Sequence, residues 1–267
     1  MPNHILRQYL TSVGIFPGKT SRRSDLLKLI EGLKVVPIHD ELVRVGPDRD
    51  GGYLVPDVFD GIDYCFSPGV ADCSEFELQL ANRGIKVFMA DQSVQSPSAV
   101  HQNFDFIEFY ISSNNSPSEQ LITLDTWYEH KLNITPSTTS PEAILQMDIE
   151  GSEYEVLHSI SNALLSRFRV IIIEFHKLYQ LADRFSFSLM APAIQKLINS
   201  HSVVHIHPNN NRKSIEIFGL EIPATLEITF LRNDFVAKSK KKLNFPHPLD
   251  KRSVPSKPDL ILPECWY

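Results

Sequence analysis

The sequence predicts an α/β protein with a doubly wound, mostly parallel sheet and helices on both faces. Three observations carry that prediction. Short apolar runs alternate with stretches of helical periodicity from residue 63 onward. The run VIIIEF at 170–175 is almost continuously apolar, as suits a parallel strand covered on both sides. Acidic and imidazole side chains stand where several of these runs end, the edge at which open α/β sheets hold ligands.

Taken in order, residues 3–13 and 24–33 show helical spacing, separated by the breaker-rich GIFPGKTSRR. They form an N-terminal helical extension over 1–43. The turn-rich RVGPDRDGGY at 44–53 opens the main domain, 44–236. Within it, strands are expected at 63–67, 85–90, 106–111, 143–149, 170–175, 203–207 and 226–231, and helices at 74–83, 153–165 and 189–199. No long helical pattern separates the last two strands, so the final strand is expected to run antiparallel. Residues 237–267 form a basic, Pro-rich tail in which Lys238 and Lys240 to Lys242 read as a solvated face.

Composition narrows the function classes. A chain of 267 residues with 42% hydrophobic and 22% charged residues is an ordinary globular protein. Its formal charge of -6 argues against a nucleic-acid binder. Cys65, Cys73 and Cys265 have no zinc spacing, and an odd, small count fits a reducing compartment. With no signal-peptide core and no long apolar run, the expectation is a cytoplasmic protein without a transmembrane segment.

Two strand ends suggest an adenosine site. CFSPGVADCSEFE passes from strand to helix, and Gly69 permits close approach of a ligand to the backbone. Ser74 and Glu77 have capping-box spacing. Some twenty residues on, Asp91 ends the next strand, where a carboxylate can accept from both ribose hydroxyls. A full G-x-G-x-x-G fingerprint is missing, which favours a donor without a pyrophosphate, such as S-adenosylmethionine, over a dinucleotide. The third signal is ILQMDIEGSEYEVL, in which Asp148 and Glu150 share a face if the strand continues, and Ser152 with Glu155 has capping-box spacing.

This segment resembles the hallmark of the FkbM-type S-adenosylmethionine-dependent methyltransferases. Asp91, LITLDTWYE (121–129) and VIIIEFH (170–176) are similar to further motifs of that family, and RVGPDRDGGY and HIHPNNN to those of a bacterial subgroup. The resemblance runs over about 44–231. It implies a seven-stranded Rossmann-like methyltransferase sheet, with Asp91 and Asp125 on the cofactor. The first turn departs from the family's aspartate-containing, glycine-rich pattern, and position alone assigns Ser67, Gly69 and Glu75 to the methionine end.

Asp148, Glu174 and His176 are expected at adjacent strand ends as the catalytic group, with His176 the natural proton acceptor by its pKa range. A divalent metal (magnesium or manganese) has Asp148, His176, His205 and His207 as candidate ligands. Arg49, Asp50, His207, Asn209 and Asn210 are candidates for the acceptor side. Trp127 and Tyr128 either stack on a ligand or pack in the core. The function expected is methyl transfer to a hydroxyl of a carbohydrate or small molecule. An NAD-dependent sugar dehydrogenase or epimerase and a non-catalytic binding protein remain the alternatives. The N-terminal helices offer a surface for a homodimer.

Overall fold

The structure is a computed structural model describing residues 6, 9–13, 18–137 and 139–267. The helix expected at 3–13 falls partly outside them; residues 9–12 are helical. The first complete helix, α1 (Arg23–Gly32), matches the second predicted one and buries Leu26, Leu29 and Ile30.

The turn-rich 44–53 segment turns out to hold the loop of a hairpin, 46–52, with strand residues at both its ends. It joins β1 (Leu42–Val45) to the antiparallel β2 (Tyr53–Pro56). The main sheet then starts with β3 (Ile62–Pro68), followed by α2 (Glu75–Asn82), β4 (Lys86–Ala90) and β5 (Phe104–Ile107). The third predicted strand is split, because its second half forms β6 (Tyr110–Ile111), which pairs with β7 (Leu121–Ile122) away from the main sheet. Next comes α3 (Leu124–Leu132), which the sequence reading did not assign as an element; Thr123 caps it by accepting from the Thr126 N–H at 3.2 Å.

β8 (Glu142–Met147) ends two residues short of the predicted 149. The single helix expected at 153–165 is two, α4 (Glu153–Ser159) and α5 (Asn162–Leu165). Ile160 adopts extended backbone, and the Ser161 hydroxyl caps the second piece at Leu164. β9 (Phe168–Phe175) is buried along its whole length. α6 (Arg184–Ile198) starts five residues before the predicted 189, capped by Asp183 accepting from the Ser186 N–H at 2.8 Å. β10 (His201–Pro208), the small hairpin β11 (Ile215–Ile217) and β12 (Leu220–Ile222), and β13 (Leu226–Arg232) complete the order.

Seven strands form the sheet in the order β10-β13-β9-β8-β3-β4-β5. All pairs are parallel except those of β13, which runs antiparallel to both neighbours, so the last strand has the expected direction. The sheet has an apolar cluster on each face. Side chains of α1 and α3 to α6 meet Phe66, Leu145 and Ile171 on one side. Those of α2 and the β1–β2 hairpin meet Cys65, Ile144 and Val170 on the other. Alternation along each strand produces this division. Trp127 and Tyr128 belong to the first cluster, 1% and 0% exposed, with ring centroids 5.0 and 5.3 Å from that of Phe66; of the two roles open to them, packing is the one they have. Among the described residues no helix is long and apolar enough to cross a membrane.

Neither capping box forms. The Ser74 side chain turns to Ser98 and Ala99, releasing Glu77 into the interior, where Ser67 offers a hydroxyl. Ser152 makes no side-chain cap, and Glu155 instead accepts from the Ser112 hydroxyl at 3.3 Å.

Candidate active site

Successive strands leave the central β3 in opposite directions, β4 and β5 one way and β8 and β9 the other. The carboxyl ends of β3 and β8 therefore flank the switch point where such sheets bind ligands. Backbone bonds stitch the edge together: the Gly69 N–H donates to Ala90 O at 3.0 Å and the Asp148 N–H to Pro68 O at 3.1 Å. Gly69, at φ 84°, lies so close to Asp148 that a Cβ would stand 1.7 Å from its carbonyl oxygen.

Two cavities open on this edge and share Gly69, Ala71 and Asp148. The larger, about 540 Å³, is bordered by Asp91, Ser93, Tyr110, Ile111 and Glu155. Asp91 is 6% exposed. Its Oδ2 accepts from the Ala71 N–H at 2.9 Å, and Oδ1 accepts from the Ser93 N–H at 2.8 Å and hydroxyl at 2.7 Å. A carboxylate has about four acceptor directions, so these three donors leave one free. The smaller cavity, about 260 Å³, is bordered by Arg49, Asp50, Tyr53, Glu77 and Gln146. Ser67 lies beneath it, fully buried between Glu77 and Gln146. Glu75 is on the surface and pairs with Arg49 at 2.9 Å. Asp125 borders neither cavity, because its carboxylate accepts from the Ser161 N–H at 2.9 Å.

His176 follows β9 and meets the carboxylates as its place at the strand end predicts. Its Nε2 is 3.7 Å from Asp148, 3.7 Å from Glu150 and 3.8 Å from Glu174. Its Nδ1 is 3.0 Å from Glu153 Oε1 and 3.1 Å from the Glu174 carbonyl. Both Nδ1 neighbours are acceptors, so in the neutral ring Nδ1 carries the proton and Nε2, which faces the three carboxylates, is the atom that gains or loses one. Burial pulls the His176 pKa down, but the Glu153 hydrogen bond and the charges of Glu153, Asp148 and Glu150 outweigh it, and the net shift is upward. Burial likewise raises Asp148 and Glu174, reinforced by the other carboxylates. The strand does not continue to bring Asp148 and Glu150 onto one face. Glu150, at φ 57°, returns instead through a turn that Glu153 Oε1 holds by accepting from the Gly151 N–H at 2.9 Å.

Asp50 and Asn209 join this group. The Asn209 Nδ2 donates to Glu174 at 2.8 Å and to Asp50 at 3.1 Å. Asn210 faces the tail, donating to three carbonyls between 254 and 258 and accepting from the Val254 N–H. Of the proposed metal ligands, Asp148 and His176 come together with Glu150, with ligand atoms within 4.8 Å of one another. His205 and His207 do not join them, because β13 separates β10 from β9. His205 Nε2 lies 2.9 Å from Asp250, and His207 Nδ1 3.5 Å from Glu227. Burial lowers the His207 pKa, but Glu227, Asp250 and Asp259 overcome it and carry it up to about 9.

Glu77, Gln146 and Glu153 went unnoticed as site residues in the sequence. Glu153 had a local signal, a second acid beside the helix start in EGSEYE. The others reach the site only through tertiary folding.

The fold and site define an α/β domain with paired cavities at the switch point and an acid–imidazole cluster beside them. The chain belongs to the methyltransferase FkbM domain family, whose pattern matches residues 71–216, more than half of the chain. No curated protein matches the chain. Among solved structures, WbdD in complex with a kinase inhibitor is 11% identical, with 69% of this chain and 40% of that one covered and a TM-score of 0.31. A putative methyltransferase from an antibiotic biosynthesis pathway of Anabaena variabilis is 16% identical, with coverages of 55% and 58% and a TM-score of 0.28. A 16S rRNA (adenine(1408)-N(1))-methyltransferase from Catenulisporales acidiphilia is 10% identical, with coverages of 74% and 99% and a TM-score of 0.30. The chain spans less than two thirds of the length of the first two. Likenesses this distant assign no activity to it.

Proposed function

We propose that this protein binds S-adenosylmethionine across the two cavities and transfers its methyl group to a hydroxyl of a small-molecule or carbohydrate acceptor. Family membership supports methyl transfer as the chemistry. The observation that carries the cofactor reading is Asp91, buried at the end of β4 and bordering the larger cavity. In this reading the adenosine occupies the larger cavity, with one ribose hydroxyl on the acceptor direction that Asp91 leaves free and its amino-acid end in the smaller cavity. The sulfonium then lies near Asp148, which both cavities share.

Transfer is an in-line displacement. The acceptor oxygen bonds the methyl carbon, the carbon–sulfur bond breaks with its electron pair passing to sulfur, and the hydroxyl proton goes to His176 Nε2. Glu153 holds the ring in the tautomer that leaves Nε2 free. On this reading Asp50 and Asn209, hydrogen-bonded to each other beside Glu174, would meet the acceptor. A second reading is favoured by the three carboxylate oxygens that surround Nε2 without reaching hydrogen-bond distance. A magnesium or manganese ion held by Asp148, Glu150 and His176 would take up the Nε2 lone pair and polarise the acceptor hydroxyl. Titration with manganese, and turnover before and after chelation, separates the two.

The test of the cofactor reading is calorimetry with S-adenosylhomocysteine. Asp91→Ala removes a charged acceptor and should weaken binding about 10- to 100-fold. A melting curve checks that losing the Ala71 and Ser93 bonds has not unfolded the turn. No heat from the unaltered protein at high ligand concentration would overturn the reading.

A further inference from the structure

Glu77 is an inward-turned carboxylate on α2, 3% exposed and bordering the smaller cavity. Its Oε1 lies 2.5 Å from the Ser67 hydroxyl, and its Oε2 has no hydrogen-bond partner among the described residues. The same hydroxyl lies 2.6 Å from Gln146 Oε1. A hydroxyl has one proton and can donate to only one of these oxygens. As arranged here, the other contact requires a proton on Glu77 itself. Burial supplies the same answer, pushing the Glu77 carboxyl up to about 7. Once ionised, a buried acid at a cavity wall with one oxygen unused needs a cation beside it.

We propose that Glu77 receives the α-ammonium group of the methyl donor; the proposal rests on the S-adenosylmethionine reading above. The cavity matches an amino-acid end on both counts. Among the described residues Arg49 is the one cationic side chain on its border, at the rim, where it can meet a carboxylate. The other bordering acids are placed differently: Asp50 accepts from Asn209, Asp148 faces His176, and Asp72 is exposed. The hydrogen-bond chain can also reverse. Gln146 Nε2 is 3.3 Å from the Tyr53 hydroxyl, which is buried and faces Asp148, Glu174, Glu227 and Asp50. With an ammonium group on ionised Glu77, Ser67 donates to Glu77, a turned Gln146 amide donates to Ser67, and Tyr53 donates to the amide oxygen. Every group in the chain is then satisfied, and the displaced proton passes to solvent.

Three ligands test this by calorimetry on the full chain. S-adenosylhomocysteine carries both amine and carboxylate, 5′-(3-carboxypropylthio)-5′-deoxyadenosine lacks the amine, and 5′-methylthioadenosine lacks the whole amino-acid end. The unaltered protein should prefer the first over the second by about 10- to 100-fold, as expected for a charge-assisted bond. Glu77→Gln, which keeps the Ser67 contact, should erase that preference and bind 5′-methylthioadenosine within about threefold of the unaltered protein. If Glu77→Gln does not fold, Glu77→Asp should reduce the preference in the same ligand-selective way. A retained preference in the variant, or equal loss for all three ligands, overturns the proposal. An unaltered protein that binds 5′-methylthioadenosine but ignores the amine overturns the Glu77 assignment and leaves the cofactor reading intact. One that binds none of the three overturns both.

Discussion

Gly69→Ala should abolish binding of S-adenosylhomocysteine and lower the unfolding free energy by roughly 3 kcal/mol or more, at the upper end for single substitutions. Two costs combine. The backbone at Gly69 has φ 84°, a conformation in which a Cβ alone costs about 1–2 kcal/mol. The new carbon would also stand 1.7 Å from the Asp148 carbonyl oxygen and 2.6 Å from its carbonyl carbon. Those atoms are backbone, tied to β3 through the Asp148 N–H bond to Pro68 at 3.1 Å, so relief requires the ends of β3 and β8 to part. Both cavities share Gly69 and Asp148, and parting deforms both. Gly84→Ala is the control. It has nearly the same torsion, φ 92°, with nothing within 4 Å of the added carbon. Denaturant unfolding should show the torsional cost alone for Gly84→Ala, with ligand affinity unchanged. Equal effects of the two substitutions would show that the close approach at the switch point does not matter.

How much of this was legible in the sequence follows from the range over which each feature is encoded. The parallel strands announced themselves, because burial on both faces demands a continuous apolar run such as that of β9. The antiparallel β13 followed from the missing crossover helix. The β1–β2 hairpin was hidden because its strands are only four residues each, around a loop that reads as turn throughout. The break between α4 and α5 is a single Ser161 cap with no Pro or Gly to mark it. Within the site, Asp91, Asp148 and His176 could be picked out because strand ends place them at the edge. Glu77 could not, because its spacing from Ser74 offered a local capping explanation. The fold overrode it when Ser74 bonded Ser98 instead. Asn209 and Asn210 are neighbours in sequence that diverge in role, one bridging Glu174 and Asp50 and the other clasping the tail. No pattern in the sequence distinguishes them.

His176→Ala should lower kcat by about 10²- to 10⁴-fold, the usual contribution of a positioned base, while S-adenosylhomocysteine affinity stays within about threefold. The ring borders neither cavity, so on the proposed reading it does not hold the cofactor. The pH profile gives the sharper test. A base must be unprotonated, and the acids around His176 raise its pKa despite the opposing effect of burial. The rate of the unaltered enzyme should therefore rise with pH through a value above 6.5, the unshifted histidine value. Glu153→Gln removes the negative charge beside Nδ1 while leaving an amide oxygen able to accept its proton. With less to stabilise the imidazolium, the pKa falls and the rising limb moves to lower pH. If His176 instead ligates a metal, the same Glu153 bond orients the ligand, and His176→Ala should lose manganese affinity along with turnover. A profile that Glu153→Gln does not move, in a variant that retains its melting temperature, would leave Glu153 a purely structural role and remove the argument that Nε2 is held free to take the proton.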